Sequence, residues 1–284
     1  MEVVFHEVSF AYERFGEPAA PPHVVLRRLN FRIGAAEAVA IVGRSGSGKT
    51  TLMQLFNGLL TPTAGRILVD GADIHGRGYD LAALRGRMGL AFQFPEAQLF
   101  GMTVAEDVSF GPRQQKRTPA EALAAARTGL AQVGLSPDFL PRHPMTLSQG
   151  EKRRVALAGI LAMNPEMLIL DEPTASLDAA GVREVTRLLR RWHQRGQTVV
   201  IVSHDMDLVA ALAQRVLVLH AGEIIFDGRP AELWQRNGGT PPRDSHSLPD
   251  LLAQAGLPLP RAERVRRLLT RKGLELPGRF WADE

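Results

Sequence analysis

The segment Gly43-Arg44-Ser45-Gly46-Ser47-Gly48-Lys49-Thr50 constrains this chain more than any other. It follows the short apolar run Ala38-Val39-Ala40-Ile41-Val42, which reads as a buried strand, and it leads into a helix from about Lys49 to Asn57 that Gly58 stops. A strand, a glycine-rich loop and a helix in that order fit the phosphate-binding pattern G-x-x-x-x-G-K-[ST]. The glycines let backbone N–H groups turn toward phosphates without Cβ clashes. The helix start adds the positive end of its dipole. In such a loop Lys49 reaches the β- and γ-phosphates and the Thr50 hydroxyl ligates Mg²⁺; Thr51 is a further contact for the α-phosphate.

Composition sets the bounds. The chain has 284 residues, 45% of them hydrophobic and 23% charged, which suits one large globular domain with a small appendage. It has no cysteine, so disulfides, thiolate catalysis and cysteine-bound zinc are excluded. Met1 to His6 reads as a strand rather than a secretory leader, and no apolar run approaches the roughly 18 residues that span a bilayer. A membrane role is therefore expected to come through a partner. The net charge of +4 and pI of about 9.9 suit a slightly basic soluble protein, and no nucleic acid is expected as a partner.

Strands are expected at 3–9, 24–33, 66–69 and 87–93, with a Pro/Ala turn at Glu17 to Pro22. From about 104 to 163 the pattern is helical, with Pro119 starting one helix and Ser148 capping another that runs to Met163. Met167 to Leu170 is again a buried strand. Helix 179–194, strand 198–202, helix 205–212 and strand 215–220 then alternate, as in a doubly wound α/β sheet. Asn237 to Pro242 marks a linker. Two short amphipathic helices follow, the second with Ala262, Val265, Leu268 and Leu269 on one face.

Asp171 ends its apolar strand, where a carboxylate can hold Mg²⁺ through the ion's water shell. Glu172, the next residue, points elsewhere and can polarise an attacking water. His204 and Gln93 each follow an apolar strand, and Tyr12 precedes the first turn. Leu147-Ser148-Gln149-Gly150-Glu151, about twenty residues before Asp171-Glu172, is similar to the L-S-x-G-[QE] signature of ATP-binding cassette (ABC) ATPases. That resemblance implies an α/β ABC ATPase fold: a RecA-like parallel-sheet core, an antiparallel β subdomain, a helical subdomain at about 94–163 and a small C-terminal α appendage. It implies a nucleotide-binding domain over 1–236, and a linker with a small dimerisation region over 237–284. It further implies that Glu172 is the catalytic base, His204 the switch histidine and Gln93 the Q-loop glutamine sensing Mg²⁺ and the γ-phosphate. Tyr12 would stack on adenine, and Ser176-Leu177-Asp178 would form the D-loop at a dimer interface. Ser148 and the Gly150 N–H would grip ATP bound to a second cassette. Gln149 and Glu151 depart from the common L-S-G-G-Q, and Gln149 adds bulk where backbone should approach the ligand.

Gln93-Phe94-Pro95-Glu96-Ala97-Gln98-Leu99-Phe100 resembles the corresponding stretch in ATPase subunits of energy-coupling factor (ECF) transporters. Asp107 to Pro112, Arg153 to Gly159 and the Gly256-Leu257-Pro258-Leu259-Pro260 tail extend the likeness over essentially the whole chain. It implies an ATP hydrolase on the cytoplasmic face of the cell membrane. Its partners would be a second ATPase, a transmembrane T component and a substrate-binding S component for a vitamin or a cobalt or nickel ion. Phe94, Glu96, Leu99 and Phe100 would dock the T component, with Glu106 and Asp107 as further acidic candidates. A soluble ABC ATPase acting on nucleic acid or ribosomes, or the ATPase of a conventional importer, stays open at this point.

Overall fold

The computed structural model describes residues 1–13, 22–236 and 251–271. The expected turn at 17–22 lies outside them apart from Pro22, as does the linker at 237–242. The chain opens with the antiparallel pair β1 (Val3–Tyr12) and β2 (His23–Ile33), in which Phe5 faces Phe31. β3 (Ala38–Val42) runs into the glycine-rich loop and α1 (Lys49–Phe56). β4 (Ala64–Val69) and β5 (Ala72–Asp73) complete an antiparallel sheet of order β2-β1-β4-β5. Next come α2 (Leu81–Arg87), β6 (Met88–Ala91) and a 3₁₀ turn, Pro95–Gln98. α3 (Val104–Gln114), α4 (Pro119–Gln132) and α5 (Gln149–Ala162) then pack on one another. β7 (Met167–Asp171), α6 (Ala179–Gln194), β8 (Thr198–Val202), α7 (Met206–Leu212), β9 (Arg215–His220) and β10 (Glu223–Gly228) follow. α8 (Pro230–Arg236), α9 (Leu251–Gln254) and α10 (Arg261–Arg271) close the described chain.

The second sheet has the order β10-β9-β3-β8-β7-β6, and only its β10–β9 pair is antiparallel. Its central strands read as unbroken apolar runs because both faces are covered. Strand alternation divides them: Val39, Ile41, Ile169, Val200, Val202, Leu217 and Leu219 face the core shared with β1, β2 and α1. Ala40, Val42, Leu168, Leu170, Val199 and Ile201 face the core shared with the helices. Phe5 stacks on Phe31 with ring centroids 4.5 Å apart and meets Phe56 of α1 at 4.7 Å, within the core the two sheets share.

The topology puts four strand ends side by side. β8 lies between β3 and β7, with Ile41 and Asp171 both in register with Val202. β6 lies beyond β7, with Ala91 opposite Leu170. The glycine loop, Ser203-His204, Asp171-Glu172 and Phe92-Gln93 therefore leave the same carboxyl edge, where open parallel sheets bind ligands.

Two expectations need correction, and a further strand, β10, is not announced by the sequence pattern. The strand expected at 87–93 is only Met88–Ala91, because Arg87 still belongs to α2, where Gly86 and a single buried residue, Leu84, leave almost no helical pattern to read. β10 pairs on the sheet edge with one residue, Phe226, fully buried, so its alternation is faint. In α10 the expected apolar face is not the buried one. Val265 and Leu268 are 50% and 57% exposed, whereas Glu263 is 3% exposed and accepts hydrogen bonds from Arg266 and Arg267. Paired guanidinium groups make that carboxylate tolerable inside. Leu269 lies outside the described side chains.

Candidate active site

The glycine loop is shaped by contacts that leave no room for side chains. A Cβ on Gly43 would stand 2.2 Å from the Leu219 carbonyl oxygen. Gly48, at φ 105°, is the N-cap of α1, and a Cβ there would meet Leu26 at 2.6 Å. The Arg44 side chain passes over Gly256 of the C-terminal segment, 2.5 Å from where a Cβ would be. Arg44, Ser45, Gly46 and Thr50 are exposed. The Ser47 hydroxyl is buried without a hydrogen-bond partner. The Lys49 ammonium folds over the loop, donating to the carbonyls of Gly43 (2.7 Å) and Arg44 (2.8 Å). Tyr12 OH and Thr51 Oγ1 lie 3.2 Å apart, which sets the half-exposed tyrosine at the start of α1.

Beside the loop stand two carboxylates with different surroundings. Burial pushes the Asp171 carboxyl up to about 6; Glu172 adds to the rise and Lys49 opposes it. Burial likewise lowers the Lys49 ammonium, with Glu172 and Asp171 opposing. Glu172 sits in left-handed backbone (φ 46°), and its N–H donates to Val202 O at 2.8 Å. That turn aims its side chain at the end of β8. Oε2 accepts from Ser203 Oγ (2.8 Å), and Oε1 lies 2.6 Å from His204 Nδ1. The expected pair of Glu172 and His204 is thus brought together. Ser203, buried beneath them, is a partner that sequence reading missed; its position before the strand-end histidine was the only signal. Gln93 is exposed at the same edge and makes no hydrogen bond to Lys49, Asp171 or Glu172.

The signature lies at the head of α5, away from the lysine loop. Leu147 is buried; Ser148, Gln149 and Gly150 are exposed. Ser148 caps the helix: its Oγ accepts from the Glu151 N–H at 3.3 Å and donates to Glu151 Oε2 at 2.8 Å, while its own N–H donates to the same carboxylate oxygen. The Ser148 hydroxyl bond comes first among the causes that hold the Glu151 carboxyl below its ordinary range. Glu151 in place of glutamine therefore completes a capping box. A Cβ on Gly150 would meet nothing within 4 Å among the described residues. In the expected D-loop, Ser176 is left-handed (φ 62°), Leu177 packs against the helical core, and Asp178 caps α6 through the Gly181 N–H at 2.8 Å.

Arg153, also missed from sequence, joins these patches. It is 6% exposed, and its guanidinium donates to the carbonyls of Glu172 (3.2 Å), Pro173 (2.7 Å) and Ala175 (2.8 Å). No local pattern announces a contact spanning about twenty residues.

A groove of about 1100 Å³ opens between α2, β6, the 95–98 turn and helices α3 and α5, lined by Leu90, Leu99, Phe100, Phe110 and Ile160 among others. Phe100 is 67% exposed and meets Phe110 edge to face at 5.0 Å. Glu106 and Asp107 do not stand free there. Glu106 accepts from the Met102 N–H, and Asp107 from the Phe100 and Gly101 N–H groups, so both shape the turn before α3.

The strand-edge arrangement has a counterpart among known proteins. A family model described as ABC transporter matches residues 26–175. The chain belongs to the ABC transporter family. Within it, the ATPase groups with the energy-coupling factor ATP-binding proteins. It is 46% identical over 277 residues to EcfA2 of Symbiobacterium thermophilum, covering 98% of this chain and 91% of that protein. It is 40% identical to EcfA2 of Streptococcus pyogenes serotype M5, covering 97% and 94%. Among solved structures this ABC ATPase resembles CbiO1 of Clostridium perfringens, part of the complex cbiONQ, with TM-score 0.72 and 34% identity over 93% of this chain and 98% of that one. The cassette MJ0796, a dimer bound to ADP and Pi after hydrolysis, gives TM-score 0.70 and 28% identity over 80% and 98%. The expected fold is borne out, with its parallel core sheet and antiparallel subdomain. Among the described residues no helix is long and apolar enough to cross a membrane.

Proposed function

We propose that this ABC ATPase drives an ECF-type importer from the cytoplasmic face of the membrane, binding ATP in a head-to-tail pair with a second cassette. The apolar groove carrying Phe100 and Phe110, lined in part by the turn that follows Gln93, is the observation that carries the reading. Exposed aromatic side chains flanking the catalytic edge suit the docking of a coupling helix from a transmembrane T component, which works with a substrate-binding S component for a vitamin or a cobalt or nickel ion.

In the mechanism each ATP lies between one cassette's glycine loop and the other's signature. Lys49 exchanges its two carbonyl contacts for the β- and γ-phosphates, and Tyr12 stacks on adenine. Ser148 and the Gly150 N–H reach the partner's ATP, with the α5 dipole behind them. Glu172, held by Ser203 and His204, takes the proton of the attacking water. The donor set suits Mg²⁺: the Thr50 hydroxyl stands exposed at the start of α1 and the Asp171 carboxylate lies beside Lys49, oxygen donors that a hard ion takes together with nucleotide phosphates and water. Thr50, Asp171 and Gln93 would hold it, and when bound it neutralises charge on the transferred phosphate. Loss of the γ-phosphate removes the link to Ser148, and the pair opens.

Gentle detergent extraction from the native membrane, with mass spectrometry of what accompanies this chain, tests the proposal. A transmembrane T component with small S components, with or without a second ATPase, is the expected result. Recovery with ribosomal or DNA-bound material, or with no membrane subunit, would overturn the transport assignment while leaving the ATPase chemistry.

A further inference from the structure

Gln149, the departure from the common signature, has a partner 53 residues away. Its Nε2 donates to Glu96 Oε1 at 2.8 Å. A carboxylate only accepts, so the amide nitrogen must face it. Glu96 belongs to the 3₁₀ turn Pro95–Gln98, which hangs from β6 through Phe94 in left-handed backbone (φ 59°). Its other oxygen, Oε2, is buried without a hydrogen-bond partner. One helical turn beyond Gln149, on the same face of α5, Arg153 grips the carbonyls of Glu172, Pro173 and Ala175. Two side chains of one face thus pin the head of α5 to the groove turn and to the backbone of Glu172.

We propose that Gln149 and Arg153 are positioning residues that make the 95–98 turn, the signature end of α5 and the turn after Glu172 one mechanical unit. A displacement of the groove turn then moves Ser148 and the catalytic glutamate together, and glutamine at 149 supplies a contact that glycine cannot make. Both partners of the joint lie within one chain; only its consequence for turnover rests on the roles proposed above for the signature and Glu172.

The test is a side-chain exchange. Gln149→Glu sets two carboxylates against each other, yet an acid in the first turn of a helix suits the dipole, so the fold is kept. In the purified full chain, amide hydrogen exchange over 94–100 and over 147–153 is expected to quicken together by about tenfold, the ~1.4 kcal/mol of a charge-assisted hydrogen bond. The double variant Glu96→Gln/Gln149→Glu re-forms the bond with donor and acceptor reversed and should return both segments to the wild-type rate. For turnover of Mg·ATP, Gln149→Glu should lower kcat about fivefold with KM within about twofold, and the double variant should restore it. Unchanged exchange in Gln149→Glu, or no recovery in the double variant, overturns the joint. Exchange that responds while kcat does not overturns the positioning role. A wild-type chain without turnover counts against the functional assignments, and exchange still decides the joint.

Discussion

His204 Nδ1 lies 2.6 Å from Oε1 of Glu172, although the histidine side chain is 71% exposed and the glutamate only 12%. An exposed ring is thus anchored by a nearly enclosed carboxylate, which Ser203 holds from below. Because the carboxylate accepts, the ring proton sits on Nδ1 and Nε2 is left for a second contact. His204→Ala should lower kcat about 10²-fold while ATP affinity changes less than about threefold, since only the transition state loses the contact. Steady-state turnover and equilibrium dialysis of ATP measure the two; a parallel loss of affinity would contradict the assignment.

Gly150 separates folding from function. Space around it is open, and alanine is the better helix former, so Gly150→Ala should stabilise the isolated chain by about 0.5 kcal/mol. The same Cβ would stand where a second cassette's ATP is proposed to approach, and ATP-dependent association should weaken. Thermal unfolding and light scattering with ATP check this. Unchanged association would remove the signature's proposed role.

Asp171 makes stability depend on pH. Its pKa of about 6 lies above the ordinary carboxylate value. The protonated form therefore favours the fold, a contribution full below about pH 4 and lost as pH rises through about 6. Asp171→Asn keeps an uncharged side chain and should gain about 1 kcal/mol on wild type between roughly pH 5 and 7.5, allowing for solvent screening. Urea unfolding of the nucleotide- and metal-free protein at both values measures it. A constant difference between the two would count against a perturbed Asp171.

Arg153→Met should be costly to the fold itself. It orphans carbonyl acceptors at a buried turn, a loss of about 2–4 kcal/mol, or roughly 5–10 °C in Tm for a chain of this size. Calorimetry gives the number. A shift under about 1 °C would mean the turn after Glu172 holds without the guanidinium.

Phe100→Ser tests the groove. The ring is mostly in solvent, so Tm should move by less than about 2 °C. Recovery of membrane subunits in detergent should drop several-fold; undiminished recovery would move the docking site elsewhere.

Much of this was legible in the chain. The loop from Gly43 to Thr50, the capping serine at 148 and the strands ending at Val42, Leu170 and Val202 are local patterns, because helix starts, tight glycine turns and doubly buried strands are fixed by neighbours in sequence. α2 and β10 escaped because elements of seven and six residues, each with a single fully buried side chain, carry almost no periodic signal. In α10 the periodicity misled, since an ion-paired glutamate rather than Val265 and Leu268 faces inward.

By itself the sequence determined the chemistry of the strand ends: which residues bear phosphate-binding, carboxylate and imidazole groups, and that each follows a buried strand. Only the tertiary structure decided which groups meet. Strand order put β8 between β3 and β7 and so brought Ser203 and His204 onto Glu172. Helix packing brought Gln149 to Glu96 and Arg153 to the backbone after Glu172. A hydrogen bond needs its partners within about 3 Å and rightly aimed, and across 53 residues that condition is met by the packing of the whole domain, not by any local pattern.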